Sequence, residues 1–294
     1  MKIGIYGRSF NKDFAKQIKT LFRKLKEAGV YVSLYEPFYE FMAEEIKFQP
    51  QVDTLFIKPD QITPDFDFMF SIGGDGSFLH SMYFVGDKQI PIVGINCGRL
   101  GFLAIISPDA ISDAIDELLA GKYSVENRSL IELKTANNLF GNFRFALNDL
   151  TIHKKDSSSM ITLHVYMDGE FLNTYWGDGL IISTATGSTA YSLSAGGPIV
   201  LPDSETFILT PLAPHNLTVR PIVVPDKVEL ILKAEGRSSH YMATLDSRCE
   251  SFDANIVLKV QRASFKIKTV KLKDHNFFST LRNKMMWGLD KRNY

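Results

Sequence analysis

Phe70-Ser71-Ile72-Gly73-Gly74-Asp75-Gly76-Ser77-Phe78-Leu79-His80 reads as a strand that runs into a turn and leaves it as a helix. The apolar run from Phe66 to Ile72, interrupted by Asp67, ends at three glycines set around one carboxylate. Gly73, Gly74 and Gly76 allow positive φ and leave no Cβ between backbone N–H groups and a ligand, so a phosphate can come close. Phe78, Leu79 and Met82 then recur at helical spacing, and the N-terminus of that helix brings a partial positive charge to the same point. Asp75, at the carboxyl end of a strand, is placed to orient a hydroxyl and take its proton. The same residues also fit a plain strand-to-helix turn with Asp75 as N-cap.

Outward from this turn, the chain alternates strand and helix. Lys2 to Tyr6 predicts a strand, and Phe14, Ile18, Leu21, Phe22 and Leu25 lie on one face of a helix that Gly29 stops. Val30 to Tyr35 predicts a second strand, Pro37 starts a helix running to about Phe48, and Ile90 to Ile95 follows the Asp75 turn as a further strand. This alternation predicts a doubly wound, Rossmann-like parallel sheet with its ligand beyond the strands' carboxyl ends, where Gly7, Gly73 to Gly76 and Asn96 to Gly98 gather. Arg8 and Arg99 fall on that rim, as site cations or as solvated loop charges. Ser107-Pro108-Asp109 opens another helix, with Ile111, Ile115, Leu118 and Leu119 buried and Gly121 as its stop.

Beyond Gly121 the period changes. Ser129 to Lys134, Arg144 to His153, Ile161 to Met167, Glu170 to Tyr175, Leu217 to Val224, Lys227 to Leu232 and Ile256 to Val260 read as strands, one pair joined by an Asp168-Gly169 hairpin. These predict a mostly antiparallel β domain of two packed sheets, a β-sandwich. Phe277 to Trp287 returns to helical spacing, and this C-terminal helix is expected to dock on the first domain. The expected domains are 1–106 plus 271–294, and 107–270.

Composition narrows the function. With 33 basic and 33 acidic side chains the net charge is zero, which leaves no electrostatic footprint for a nucleic acid or an anionic membrane and favours a small ligand. Cys97 and Cys249 are too few for a disulfide framework, Met1-Lys2-Ile3-Gly4-Ile5-Tyr6 is a strand rather than a signal peptide, and no apolar run approaches a membrane span. A cytoplasmic protein is expected. Lys266, Lys268, Lys271 and Lys273 form the one basic run, read as a solvated strand edge.

The second informative stretch is Gly177 to Pro198, where seven Ser/Thr hydroxyls, one tyrosine and five glycines surround the short strand Leu180-Ile181-Ile182. Buried hydroxyls need partners and glycines expose backbone donors and acceptors, so this mixture suits a ligand rich in oxygen and nitrogen; the alternative, a plain Ser/Thr-rich loop, needs no Leu-Ile-Ile strand flanked by Asp178 and Thr184. Together with Gly73-Gly74-Asp75-Gly76, Asn148-Asp149 and Pro214-His215 followed by Arg220-Pro221-Ile222, it makes the chain resemble the NAD kinase family over essentially its whole length. Gly-Gly-Asp-Gly alone is shared with diacylglycerol, sphingosine and phosphofructokinase relatives, whereas the run Thr186 to Pro198 is far more specific. The resemblance implies phosphorylation of the 2′-hydroxyl on the adenosine ribose of NAD by ATP with Mg²⁺, in a cytoplasmic homodimer or homotetramer.

Carried over by residue, the family's catalytic carboxylate falls on Asp75 in its Gly73, Gly74 and Gly76 setting, and its ribose and adenine contacts fall on Asn148 and Asp149. Asp178 and the segment Thr189, Ala190, Tyr191, Ser192, Leu193 and Ser194 match its NAD-binding stretch, with Ala213 as a backbone contact and His80 near a phosphate. No protein metal ligand is carried over. His215 fits a satisfied core histidine as well as a site. The chain departs from the family at three places: Ala185 replaces a proline, Trp176 a basic or polar residue, and Ser247-Arg248 follow Asp246 where Gly-Gln is frequent. An Arg248 that reaches the site favours the most anionic ligand, NADP; otherwise it is an exposed strand-end charge. Two other readings remain open at this point, a lipid kinase of the diacylglycerol type and an NAD(P) sensor without catalysis. No Walker A lysine motif and no Gly-x-Gly-x-x-Gly locates ATP independently.

Overall fold

The computed structural model describes residues 1–98, 101–155, 160–273 and 276–288. They divide into two units, residues 1–127 with 267–294 and residues 128–266.

In the first unit the alternating pattern builds β1 (Lys2–Gly7), α1 (Ala15–Glu27), β2 (Tyr31–Tyr35), α2 (Glu36–Glu44), β3 (Thr54–Phe56), β4 (Phe68–Gly73), α3 (Asp75–Val85), β5 (Ile92–Asn96), α4 (Ile111–Leu119) and β6 (Tyr123–Arg128). β1 pairs in parallel with β2 and β4, as does β2 with β3 and β4 with β5. Buried Ile18, Leu21, Phe22 and Leu25 of α1 pack with Ile3, Ile5, Phe68 and Phe70 of the sheet into one apolar core. α4 belongs to this unit: its Ile111, Ala114, Ile115 and Leu118 are in the same core, and Lys24 of α1 donates to the Ser112 carbonyl at 2.9 Å. The boundary therefore falls after residue 127, some twenty residues past the expected 106, because the apolar face of α4 completes the α1 layer rather than opening the β domain.

The second unit contains β7 (Ile131–Lys134), β8 (Phe145–Ala146), β9 (Asp149–Lys154), β10 (Ile161–Met167), β11 (Glu170–Gly177), β12 (Gly179–Thr184), the short α5 (Tyr191–Ser194), β13 (Thr206–Leu212), β14 (Ile222–Pro225), β15 (Leu230–Gly236), β16 (His240–Leu245), β17 (Arg248–Asp253) and β18 (Leu258–Arg262). They form two six-stranded sheets, ordered β11-β10-β15-β18-β7-β8 and β14-β13-β12-β9-β16-β17. All their pairings are antiparallel. Ile161, Leu163 and Val165 from one sheet and Leu150, Ile152, Tyr241 and Ala243 from the other share a core, as expected when alternate residues of two stacked sheets face inward. Asp168 (φ 50°) and Gly169 (φ 85°) turn the β10–β11 hairpin, the left-handed pair such a two-residue turn requires.

The chain then returns to the first unit through β19 (Ile267–Leu272) and α6 (Phe277–Met285). β19 lies between β5 and β6, not at an edge. Ile267, Thr269, Val270 and Leu272 are buried while Lys268 and Lys271 alternate with them as half-buried residues, so the lysine run decorates an interior strand. α6 shortens the expected helix by two residues, ending at Met286 with φ 56°.

Candidate functional site

Each unit presents one set of the predicted site residues. In the first, β4 delivers the chain to Gly73, whose φ of 146° and an added Cβ only 2.1 Å from Ser77 Oγ leave room for glycine alone. Gly74 is the N-cap of α3 and Asp75 its first residue, so Asp75 is not the N-cap that a plain turn would make it. Its carboxylate turns away from its own helix. Oδ1 accepts from the backbone N–H groups of Leu103 and Ala104 at 2.9 and 3.0 Å, and Oδ2 from that of Phe102 at 2.9 Å. Gly101 permits this approach, because a Cβ there would stand 2.0 Å from Asp75 Oδ1. Lys284 of α6 brings its Nζ to 3.6 Å from Oδ2. The carboxylate is thus fixed by three main-chain donors and still about a third exposed, at 29%.

His80, one turn along α3, has Nε2 2.6 Å from Arg8 Nη2, while Arg8 Nε donates to the Tyr6 hydroxyl at 3.1 Å. A guanidinium can only donate, so Nε2 accepts and the ring proton is on Nδ1. Arg8, exposed just past the end of β1, is thus tied to both side chains while still facing solvent. Arg99 lies outside the described residues.

In the second unit Asn148 and Asp149 stand at the entry to β9. Asp246, at φ 53° in the β16–β17 turn, accepts from the backbone N–H groups of Leu147, Asn148 and Asp149 at 3.0, 2.8 and 3.3 Å. From the other side Thr184 binds the same entry, its N–H donating to the Asn148 carbonyl at 2.9 Å and its hydroxyl to that of Leu147 at 2.5 Å. Gly187 packs directly on the Asn148 carbonyl, where a Cβ would lie 2.0 Å from the oxygen. The Asp149 carboxyl is buried, with Thr151 Oγ1 at 3.3 Å. Burial first, and the neighbouring Asp246 second, push it up to about 7.

The Gly177–Pro198 stretch forms β12, a 3₁₀ turn over Thr186–Thr189 and α5. Ala185 adopts φ −57°, a value proline also takes, so its replacement leaves the local path intact. Tyr191 and Ser194 are exposed and Thr189, Ala190 and Leu193 half-buried. Ser192 turns inward instead, buried with its Oγ 2.8 Å from Thr210 Oγ1, and it anchors the segment. Asp178 is half-exposed and pairs with Lys154 at 2.6 Å. Ala213 holds φ 41°, a strained position for a residue with a Cβ. Beside it, Gly177 allows close passage to the Leu212 and Ala213 carbonyls. Trp176 is 43% exposed and its ring centre lies 5.2 Å from that of His215.

Arg248 is half-buried rather than a solvated strand-end charge. Its guanidinium donates to the carbonyls of Phe143 and Phe145 and lies 4.6 Å from the Phe143 ring centre. Burial pushes it down and Asp246 opposes that. The sequence reading missed Asp246 as a backbone clamp, Lys284, and the donors at 102 to 104; none belongs to a local motif.

Among the described residues no group of three or more His, Cys, Asp or Glu side chains converges as a metal cage. The donor set does not fit a dedicated protein site for Mg²⁺, an ion that ordinarily keeps waters and one or two carboxylates and takes its other ligands from substrate phosphates.

Residues 3–123 match the ATP-NAD kinase N-terminal domain model and residues 147–272 the ATP-NAD kinase C-terminal domain model. The NAD kinase of Cytophaga hutchinsonii is 46% identical over 294 residues, covering all of both chains, and that of Bacteroides fragilis 44% identical over 292 residues, 99% of this chain and 100% of its own. Among solved structures, an Archaeoglobus fulgidus NAD kinase in complex with ATP superposes with a TM-score of 0.75 at 25% identity, covering 96% of this chain and 99% of that one. A yeast NADH kinase complexed with NADH shares the fold, at a TM-score of 0.85 and 23% identity over 99% of this chain and 89% of that one. With both domain models matched and full-length relatives above 40% identity, the chain belongs to the NAD kinase family.

Proposed function

We infer that the chain is an NAD kinase, a phosphotransferase that moves the γ-phosphate of ATP to the 2′-hydroxyl of the adenosine ribose of NAD and yields NADP and ADP. Family membership supports this reading over a lipid kinase or a non-catalytic sensor. The observation that carries it into chemistry is Asp75: a carboxylate held by three backbone donors, in a glycine-framed turn beyond a parallel strand.

In this reading Asp75 orients the 2′-hydroxyl and takes its proton as the oxygen attacks phosphorus. Phosphoryl transfer through a loose transition state asks mostly for positioning and charge stabilisation, so a fixed base is worth more than a mobile one. Gly73, Gly74 and Gly76 and the N-terminus of α3 give the phosphates an uncrowded set of backbone donors. Asn148 and Asp149 bind the adenosine ribose and base of NAD, with Asp178, Ala213 and the exposed face of Thr189 to Ser194 completing that subsite; Ser192 contributes through its hold on Thr210. A divalent cation, Mg²⁺ or another, arrives with ATP, and the enzyme works as a homodimer or homotetramer. No described helix is long and apolar enough to cross a membrane.

Purified protein incubated with NAD, ATP and Mg²⁺ should form NADP. Asp75→Asn should lower turnover by at least about 10²-fold while NAD binding survives. Near-normal turnover in that variant removes Asp75 from the chemistry, and NAD binding without any NADP from the parent protein points to the sensor.

A further inference from the structure

The Asp75 turn has no lysine in its own sequence, and the fold brings one beside it from the C-terminal helix. α6 is capped at its start by Asn276, whose side chain accepts from Ser279 N–H at 2.8 Å, and it stops at Met286 in the left-handed region. Phe277 and Lys284 are seven residues apart and so share a helix face. Both address Phe102. The Phe277 ring centre lies 6.0 Å from that of Phe102, and Lys284 Nζ lies 4.6 Å over the same ring. Phe102 is also the residue whose N–H fixes Asp75 Oδ2. One aromatic side chain therefore aims the ammonium, and its own backbone aims the carboxylate.

The oxygens of Asp75 are unequally used. Oδ1 accepts two backbone bonds and Oδ2 one, and a carboxylate oxygen takes about two. The remaining acceptor site is on Oδ2, the oxygen 3.6 Å from Lys284 Nζ. That separation is an ion pair without a direct hydrogen bond, so the ammonium's donors are free for a third group. A hydroxyl bound at Oδ2 would lie beside Nζ, and so would the phosphorus it attacks.

Resting on the NAD kinase reading, we propose that Lys284 is a catalytic residue of the transfer, the cation that binds the equatorial oxygens of the moving phosphoryl group. Asp75 takes the hydroxyl proton, the bond from the 2′-oxygen to phosphorus forms as the bond to the ADP oxygen breaks, and Lys284 keeps its proton throughout. Its charge acts on the oxygens where negative charge is held during the transfer. Among the described residues it is the one lysine or arginine whose cation lies within 4 Å of Asp75. The opposing view is a surface ion pair, 36% exposed on the lysine side, with little consequence for rate or stability.

Kinetics on the full-length enzyme separate the two. Lys284→Met should lower kcat by about 10²-fold or more, the scale for one transition-state donor, with KM for NAD and the thermal midpoint close to the parent's. Lys284→Arg keeps the charge and should recover most of the loss. A kcat for Lys284→Met within about twofold of the parent overturns the proposal. So does a loss that comes with a lowered midpoint and is not recovered by Lys284→Arg, since that pattern belongs to helix docking. The parent enzyme in the same assay tests the underlying reading separately: if it makes no NADP, the NAD kinase reading fails, and a defect confined to Lys284→Met cannot be mistaken for that result.

Discussion

Asp149 is a buried acid whose neutral form the fold prefers, since burial and Asp246 raise it to about 7 against an ordinary value near 3.8. Between those values the native chain binds the proton that the unfolded chain has released. Its contribution to stability is therefore present at about pH 4, is lost as pH rises, and is gone above about pH 7. Asp149→Asn should flatten this dependence and unfold at higher urea than the parent at pH 8, by on the order of a few kcal/mol, with little difference at pH 4. If Asp149 binds the NAD ribose as proposed, the diol reverses the preference, because its hydroxyls donate to the ionised carboxylate. NAD binding near pH 7 should then release a proton, and titration calorimetry in buffers of different ionisation enthalpy would measure it. An observed heat independent of buffer would take Asp149 out of contact with the diol. The burial that makes this carboxyl unusual was not legible locally: Asn148-Asp149 after an apolar strand marks a position, but Asp246, its partner, is 97 residues away.

At the scale of elements, the β16–β17 hairpin works as a clasp on the strand entries. Asp246 in its turn holds the amides of Leu147, Asn148 and Asp149, and Arg248, the first residue of β17, holds the carbonyls of Phe143 and Phe145. These contacts favour a structural role for Arg248 over the alternative in which it reaches the ligand. Arg248→Gln loses two charge-assisted bonds and the contact with Phe143, so it should cost about 2–3 kcal/mol in urea unfolding while the ratio of NADP to NAD affinity stays unchanged in high and low salt. A salt-dependent change in that ratio would return Arg248 to the ligand. Elements with a clean period were legible: α1 from its buried stripe, and β10, whose bounds Ile161 and Met167 coincide with those expected. Others were hidden by sound physics. β13 (Thr206–Leu212) carries Pro211, which reads against a central strand, yet it pairs on both sides. β17 buries only Phe252 fully and shows no alternation. Leu217, expected to begin a strand, is 89% exposed, and pairing starts only at Ile222.

For the whole molecule, the two units differ in how the chain reaches them. The first is discontinuous: β19, which fills the place between β5 and β6, and α6, which brings Lys284 to Asp75, both come from beyond residue 266. Glycines located Asp75 in the sequence, but the groups that hold it are 27 to 29 residues downstream or on the last helix, distances over which no motif speaks. The second unit is a single segment, residues 128–266, with two antiparallel sheets and its own buried core. A continuous segment of this size with a closed core is the kind that unfolds in one step. Expressed alone, 128–266 should give dispersed amide resonances and a single cooperative thermal transition. A chain ending at residue 266 should keep that transition and lose the one belonging to the first unit, since removing Ile267, Val270 and Leu272 takes buried residues from the strand that joins β5 to β6 in its sheet. If 128–266 instead binds a hydrophobic dye and melts without cooperativity, its core depends on the first unit, and the two units fold as one.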